Sequence, residues 1–321
     1  MTDPDRREAC LVDAFTSEPL EGNAAGVLTD AAGLSETQMR AVARELAVSE
    51  TAFLTPSEAA DRKVRYFSPA AEVDLCGHAT VAAHARLFET GEIDAGSHTL
   101  ETNVGVIDVE VTEDGVVRMT QNEPTVVEVD ESYERVGEAL GCDPNVFRDV
   151  GAELPVAYAS TGLPFLVVPT NFLEQLGDMD PDPEAVAALA DEHDAAGVYA
   201  FTFDTLDADA TVHGRCFAPG IGILEDPVTG TASGACGAYL DHFAAFTGGS
   251  NEISERASGD DPESGTPEEM LFEQGHYVDR PGTVSVRAAG GGPPSIGGDA
   301  VTSFTGQLRV PPSDDDDIIE A

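Results

Sequence analysis

Two helix-length stretches of this chain carry no acidic residue, although the chain as a whole has 60 Asp and Glu against 16 Lys and Arg. Leu75–Phe88 and Pro227–Leu240 are built mostly from Ala, Gly, Ser, Thr and Cys, on nearly every helical face. A helix without a charged face is buried on all sides, and small side chains let the surrounding strands come close. The stretches also match each other. With Gly77 set against Gly230, Ala79 meets Ala232, Ala82 meets Ala235, Ala85 meets Ala238 and Leu87 meets Leu240. The pattern predicts a duplicated architecture, with two central helices each wrapped by its own strongly curved sheet and both helix openings at one site. His84 and Arg86 are the polar exceptions and need an outlet, expected at the far end of the first helix.

The remaining segments read as the strands and outer helices of two such halves. Alternation and β-branched residues predict strands at Cys10–Phe15, Gly26–Leu28, Thr51–Thr55, Val64–Phe67, Gly105–Val111, Val116–Thr120 and Thr125–Val129. Ser35-Glu36-Thr37-Gln38 is a capping box opening a helix whose apolar face is Met39, Val42, Ala43 and Leu46. The pattern recurs with helices at Ser132–Leu140 and Pro183–Glu192 and strands at Phe165–Pro169, Val198–Phe203 and Asp209–Phe217. The expected division is an N-terminal half over 1–122 and a C-terminal half over 123–312. Ser250–Glu269 reads as an extended acidic loop, and 313–321, with four consecutive aspartates, as a disordered acidic tail.

A net charge of −44 on a chain with regular apolar periodicity reads as a halophilic surface, whose carboxylates hold water while salt screens their repulsion. The same field argues against nucleic acid and anionic membranes as partners. No apolar run approaches a membrane span, and the N-terminus lacks the apolar core of an export signal. The five cysteines, at 10, 76, 142, 216 and 236, have no CxxC spacing. They read as reduced thiols of a soluble, cytoplasmic protein with no disulfide framework and no zinc site.

A buried helix that begins at glycine presents free amides and the positive end of its dipole, a setting for a substrate carboxylate. Gly77 and Gly230 let such a ligand come close to the backbone. In either motif alone, Asp226 and Thr231 would read as caps and His78 as a cap or core histidine. Two matched copies favour a site. Cys76-x-His78 shows no further ligands at metal spacing, so no metal is expected.

The string Arg65-Tyr66-Phe67-Ser68-Pro69-Ala70-Ala71-Glu72-Val73-Asp74-Leu75-Cys76-Gly77-His78-Ala79-Thr80 resembles the first signature of the phenazine-biosynthesis isomerase-like (PhzF) family. Arg215–Pro219 followed by Glu225–Ala232 resembles its second, and Glu21-Gly22-Asn23, Ser160–Phe165, Glu273-Gln274-Gly275 and Arg280-Pro281 fit the same order. The resemblance spans nearly the whole chain. It implies an α+β, diaminopimelate epimerase-like fold of two pseudo-symmetric domains, no cofactor, a small carboxylate substrate bound with the help of Asn23, and a homodimer that no sequence feature fixes. Ala24 stands where the pattern has proline, and Thr231 where it often has serine.

The family's acid/base is a glutamate in a Ser-Glu-Thr context, which matches Ser49-Glu50-Thr51. Ser35-Glu36-Thr37 is the same tripeptide, but Glu36 lies in the first turn of a helix, in water. Glu50 follows a helix and precedes an apolar strand, where a partly buried carboxyl can both take and return a proton. By resemblance His78 and Asp226 line the same pocket as polar partners. Related epimerases place one cysteine at each helix opening. Cys76 matches the first, alone reading as a small buried residue, and Asp226 is expected at the second. The expectation is an isomerase that shifts a proton with Glu50, with an epimerase or racemase and a non-catalytic binding protein as the alternatives.

Overall fold

In the computed structural model, residues 6–148, 150, 154–246 and 265–312 are described. The expected tail at 313–321 and most of the expected acidic loop lie outside them. Within the first unit, residues 1–119 and 298–321, the elements run β1 (Arg6–Ala14), β2 (Asn23–Leu28), α1 (Glu36–Leu46), β3 (Glu50–Thr55), β4 (Arg62–Phe67), β5 (Glu72–Val73), α2 (Gly77–Glu89), β6 (Gly96–Thr102), β7 (Gly105–Val111) and β8 (Val117–Thr120). β1 is antiparallel to β2, β2 parallel to β3, β3 antiparallel to β4 and β4 parallel to β6. β6, β7 and β8 follow as an antiparallel meander, and β5 is a short flap on β4.

The second unit, residues 120–297, runs β9 (Thr125–Glu128), α3 (Tyr133–Leu140), β10 (Ala157–Ser160), β11 (Pro164–Pro169), α4 (Leu173–Gly177), α5 (Pro183–Glu192), β12 (Gly197–Thr202), β13 (Val212–Ala218), β14 (Ile223–Asp226), α6 (Gly230–His242), β15 (Met270–Gln274), β16 (Gly282–Arg287) and β17 (Ser295–Gly298). Its pairings repeat those of the first unit step for step. β10 is antiparallel to β11, β11 parallel to β12, β12 antiparallel to β13, β13 parallel to β15, and β15, β16 and β17 form the meander. β14 is the flap, here on β13. The duplication inferred from two short motifs is therefore a duplication of topology.

One strand departs from the expected boundary. β18 (Ala300–Arg309) pairs antiparallel with β1 from Arg6↔Arg309 to Ala14↔Ala300, with a register shift between Leu11 and Val12. It takes beside β1 the place that β9 takes beside β10. Residues 298–312, expected in the second half, thus belong with the first, because β1 has an edge that only a partner distant in sequence covers.

Each sheet carries a helix of mostly small, uncharged residues on one face and an amphipathic layer on the other. α2 packs against β1, β2, β3, β7 and β18, and α6 against β9, β10, β11 and β16. Both helices run a little further than the acid-free stretches and end on Glu89 and beyond Asp241. On the outer face, Met39, Val42 and Ala43 of α1 join Leu28, Phe53 and Phe67 in one core cluster. The capping box forms as expected: Ser35 accepts from Gln38 N at 3.3 Å, and Gln38 Oε1 accepts from Ser35 N at 2.9 Å. In the second unit Val186 and Leu189 of α5 pack on Leu166, Val168, Val198 and Phe217. Among the described residues no helix is long and apolar enough to cross a membrane.

Small residues on α6 are a steric requirement. A Cβ at Gly237 would lie 2.6 Å from Val286 Cγ1 on β16. Gly237→Val should lower stability by about 1–3 kcal/mol through overpacking, measured by urea denaturation; an unchanged midpoint would show that the sheet can retreat from the helix.

The two polar residues of α2 are accommodated differently from each other. Arg86 reaches Glu8 at 3.0 Å and Glu89 at 2.9 Å. His84 has no such outlet. It is 2% exposed, and its Nδ1 lies 2.9 Å from the Thr80 carbonyl one turn back, so Nδ1 carries the proton. Burial, with a smaller contribution from His98, pushes the imidazole down to about 4. Because the folded state refuses a proton that the unfolded chain accepts, stability should fall as pH drops from about 6.5 towards 4, by about 3 kcal/mol in all. His84→Gln should flatten that window in denaturation curves taken across it, whereas an identical slope in the variant would assign the loss to other groups.

Candidate active site

The first unit brings Glu50, Cys76 and His78 together from two places in the chain. α1 ends at Ala47 in the left-handed region, φ 54°, which swings the chain so that Ser49 and Glu50 lead into β3. In the parallel β2–β3 register Glu50 is opposite Ala25. The buried Asn23 begins β2 two residues earlier, on the same face as Ala25. From the other direction, β5 leads to Cys76, the N-cap of α2, and His78 follows as its second residue. His78 Nε2 lies 3.6 Å from Glu50 Oε2 and 3.3 Å from Ser49 Oγ, while Cys76 Sγ is 3.4 Å from His78 Nδ1. The carboxyl and imidazole are 15% and 11% exposed, so they are desolvated yet reachable.

Glu36 of the second Ser-Glu-Thr tripeptide behaves as a surface residue, 52% exposed and paired with Arg40 and Arg65. The Glu50 carboxylate at 3.6 Å from His78 is beyond hydrogen-bond range. A carboxyl and an imidazole at this separation can share a proton through a group placed between them. Cys76, read from sequence as a small buried residue, is buried, and its thiol also faces the imidazole. Sequence gave Cys76 and His78 no third metal-type ligand. The fold supplies Glu50, and one ligand atom from each of the three lies within 4.8 Å of the others.

Buried bonds hold the opening in place. The Thr80 hydroxyl donates to the Cys76 carbonyl and meets Tyr66 Oη, both at 2.6 Å. Burial holds the Tyr66 phenol protonated far above its ordinary range. The Arg65 guanidinium grips Glu72 with two bonds of 2.7 and 2.6 Å and lies over the Phe67 ring. Those bonds hold the Glu72 carboxyl below the usual range.

The second unit repeats this bracing. Ser233 donates to the Thr229 carbonyl as Thr80 does to Cys76. Arg215 grips Glu225 at 2.9 and 2.8 Å and lies over Phe217. Glu72 and Glu225 each stand five residues before the helix-opening glycine, so the clamp is part of the duplicated unit. Arg215 goes further and donates to the carbonyls of Leu176 and Met179.

The fold corrects one alignment. The N-cap of α6, the counterpart of Cys76, is Thr229; Asp226 stands three residues earlier, at the end of β14. The expectation aligned by chemistry rather than by distance from the helix. No thiol stands at either position, so the absence of a second cysteine holds. Thr229 Oγ1 donates to Asp226 Oδ2 at 2.5 Å. Gln274, 1% exposed, donates to the Asp226 carbonyl at 2.7 Å and accepts from Thr229 N at 3.2 Å. Thr231 sits in the first turn of α6 after Gly230, its carbonyl accepting from the Thr161 hydroxyl at 3.4 Å. Gln274 is a positioning residue that sequence reading passed over; it lay within the Glu273-Gln274-Gly275 string without a role. Its neighbour Glu273 is pushed up by burial, but bonds from His213 and the amides of Leu206 and Asp207 outweigh this and hold it low.

A family model described as phenazine biosynthesis-like protein matches residues 12–306. The chain belongs to the PhzF family. The uncharacterized isomerase YfhB of Bacillus subtilis (strain 168) is 33% identical over 311 residues, covering 94% of this chain and 99% of that protein. The trans-2,3-dihydro-3-hydroxyanthranilate isomerase of Pseudomonas chlororaphis is 31% identical over 242 residues, 72% of this chain and 78% of that one. The crystal structure of a PhzF-family phenazine biosynthesis protein from Bacillus anthracis matches with a TM-score of 0.81 at 32% identity, over 94% of this chain and 99% of that one. A hydroxyproline epimerase from Agrobacterium vitis shares the fold alone, with a TM-score of 0.57 at 15% identity over 96% and 92% of the two chains. These likenesses bear out the expected epimerase-like α+β fold, and the PhzF-family chain is an isomerase.

Arg215→Ala should cost about 3–5 kcal/mol, since it strands a largely buried Glu225 carboxylate and two carbonyls. Urea denaturation reads this directly; a loss below about 1 kcal/mol, the worth of a surface pair, would show that the clamp does not brace the opening.

Proposed function

We propose that this PhzF-family isomerase moves a proton between two carbons of a small carboxylate without a cofactor, using Glu50 as the single acid/base. The observation that carries this reading is the Glu50–His78 pair, 3.6 Å apart and nearly closed to solvent, at the opening of α2. Glu50 removes the proton beside an activating group and returns it to another carbon. His78 is its polar partner, able to hold a proton or steady a developing negative charge. The first-turn amides of Gly77 and His78 suit a carboxylate, because the Cys76 N-cap makes no side-chain bond to them. Thr229 likewise leaves the amides of Gly230 and Thr231 uncapped beside Asp226, so the second opening offers donors of the same kind. The relative from Pseudomonas chlororaphis is named for a hydroxyanthranilate, itself a small carboxylate, which supports the substrate class. The excess of acid repels such an anion at long range, so helix-end attraction must act locally, and salt that screens the field assists it.

A second reading keeps Cys76 in the chemistry. Its thiol beside His78 Nδ1 could serve a second proton transfer, and inversion at one centre would then be the outcome.

Incubating candidate carboxylates with the enzyme in deuterated water distinguishes the two. A single-base shift places deuterium at a new carbon, and epimerisation places it at an inverted one. Glu50→Gln should slow the exchange by at least about a hundredfold, and Asp226→Asn should weaken it less. Exchange at the wild-type rate in Glu50→Gln would remove Glu50 from the mechanism.

A further inference from the structure

The geometry points to Glu50, Cys76 and His78 as a binding site for a thiophilic divalent cation of the zinc type, which blocks the reaction when it is bound. Three different donors converge here: a carboxylate, a thiol and an imidazole. Tetrahedral zinc with its usual bond lengths sets ligand atoms roughly 3.3–3.7 Å apart. Cys76 Sγ is 3.4 Å from Nδ1 and 4.0 Å from Nε2 of His78, and Nε2 is 3.6 Å from Glu50 Oε2. Taken through Nε2, the imidazole is 4.0 Å from the thiol and 3.6 Å from the carboxylate, and all three ligand atoms lie within 4.8 Å of one another, so the side chains must draw together to close on an ion. Cys76 is 8% exposed and the other two side chains 15% and 11%, so an ion can reach all three.

Donor chemistry selects the metal. Thiolate and imidazole favour zinc over magnesium or calcium, which take oxygen ligands. Binding releases the thiol proton to solvent, and with three protein ligands the fourth position stays open to water or to a ligand carboxylate. The net charge of −44 adds a field that concentrates cations around the molecule and works in the opposite sense on the substrate. A bound ion would occupy the Glu50 oxygen that takes the proton and the His78 nitrogen that faces it. The block therefore rests on the proposed role of Glu50; the binding does not.

Cobalt(II) chloride, a spectroscopic stand-in for zinc, tests the site on the full reduced chain. A thiolate-to-cobalt charge-transfer band should saturate at one equivalent and vanish on adding zinc. It should be lost in Cys76→Ser and persist in Cys142→Ser, Cys142 being the more accessible, half-buried cysteine. His78→Gln should weaken binding by more than about tenfold, the cost already typical of losing an outer-shell partner. In unaltered protein, zinc should shield Cys76 from alkylation mapped by mass spectrometry, which needs no variant to fold. No band, a band that survives in Cys76→Ser, or alkylation indifferent to zinc would overturn the site. Zinc should also stop deuterium exchange, and a chelator restore it. Cobalt bound through Cys76 while exchange continues would uphold the site and remove Glu50 from the proposed reaction instead.

Discussion

Burial of α2 and α6 on all sides is the condition on which both units rest. A helix enclosed by strands has no face on which to place a charge, because desolvating one costs far more than the helix returns. Polar groups that remain inside must find partners close by, several of them on the helix itself. Thr80 and Ser233 do so by bonding the carbonyl one turn back, and His84 does so by giving its ring proton to Thr80 O. Close approach by the sheet then follows from side-chain size, as Gly237 against Val286 shows.

The same enclosure shapes the two helix openings, which are braced alike and equipped differently. In each, an arginine clamps the glutamate five residues before the first glycine, and a hydroxyl in the first turn ties back to the N-cap carbonyl. At α2 the groups beside the opening are reactive ones, with Glu50, Cys76 and His78 in loose polar contact. At α6 the acid is tied down: Asp226 accepts from Thr229, and Gln274 holds its carbonyl.

Much of this was legible from residues alone. Local signals placed α1 by its capping box and α5 over Pro183–Glu192, with ends at or near those observed. The absence of acid from two stretches located both central helices. What sequence could not show were contacts between residues distant along the chain. The resemblance put His78 in the pocket of Glu50, but nothing in Ser49-Glu50-Thr51 says that its carboxyl completes a set of metal-type ligands with Cys76 and His78. Gln274 acts through a buried turn, so its role has no local signature. Assigning Asp226 to the place of Cys76 failed because chemistry was matched where distance from the helix had to be counted.

The pairing of β1 with β18 has a consequence for how the chain is made. The second unit is continuous, and its closing neighbour β9 precedes β10, so every strand it needs has been synthesised by residue 298. The first unit, although translated first, holds β1 beside a vacant edge until Ala300–Arg309 is made. Vectorial synthesis therefore completes this molecule in reverse, and the half that carries Glu50 is the last to close.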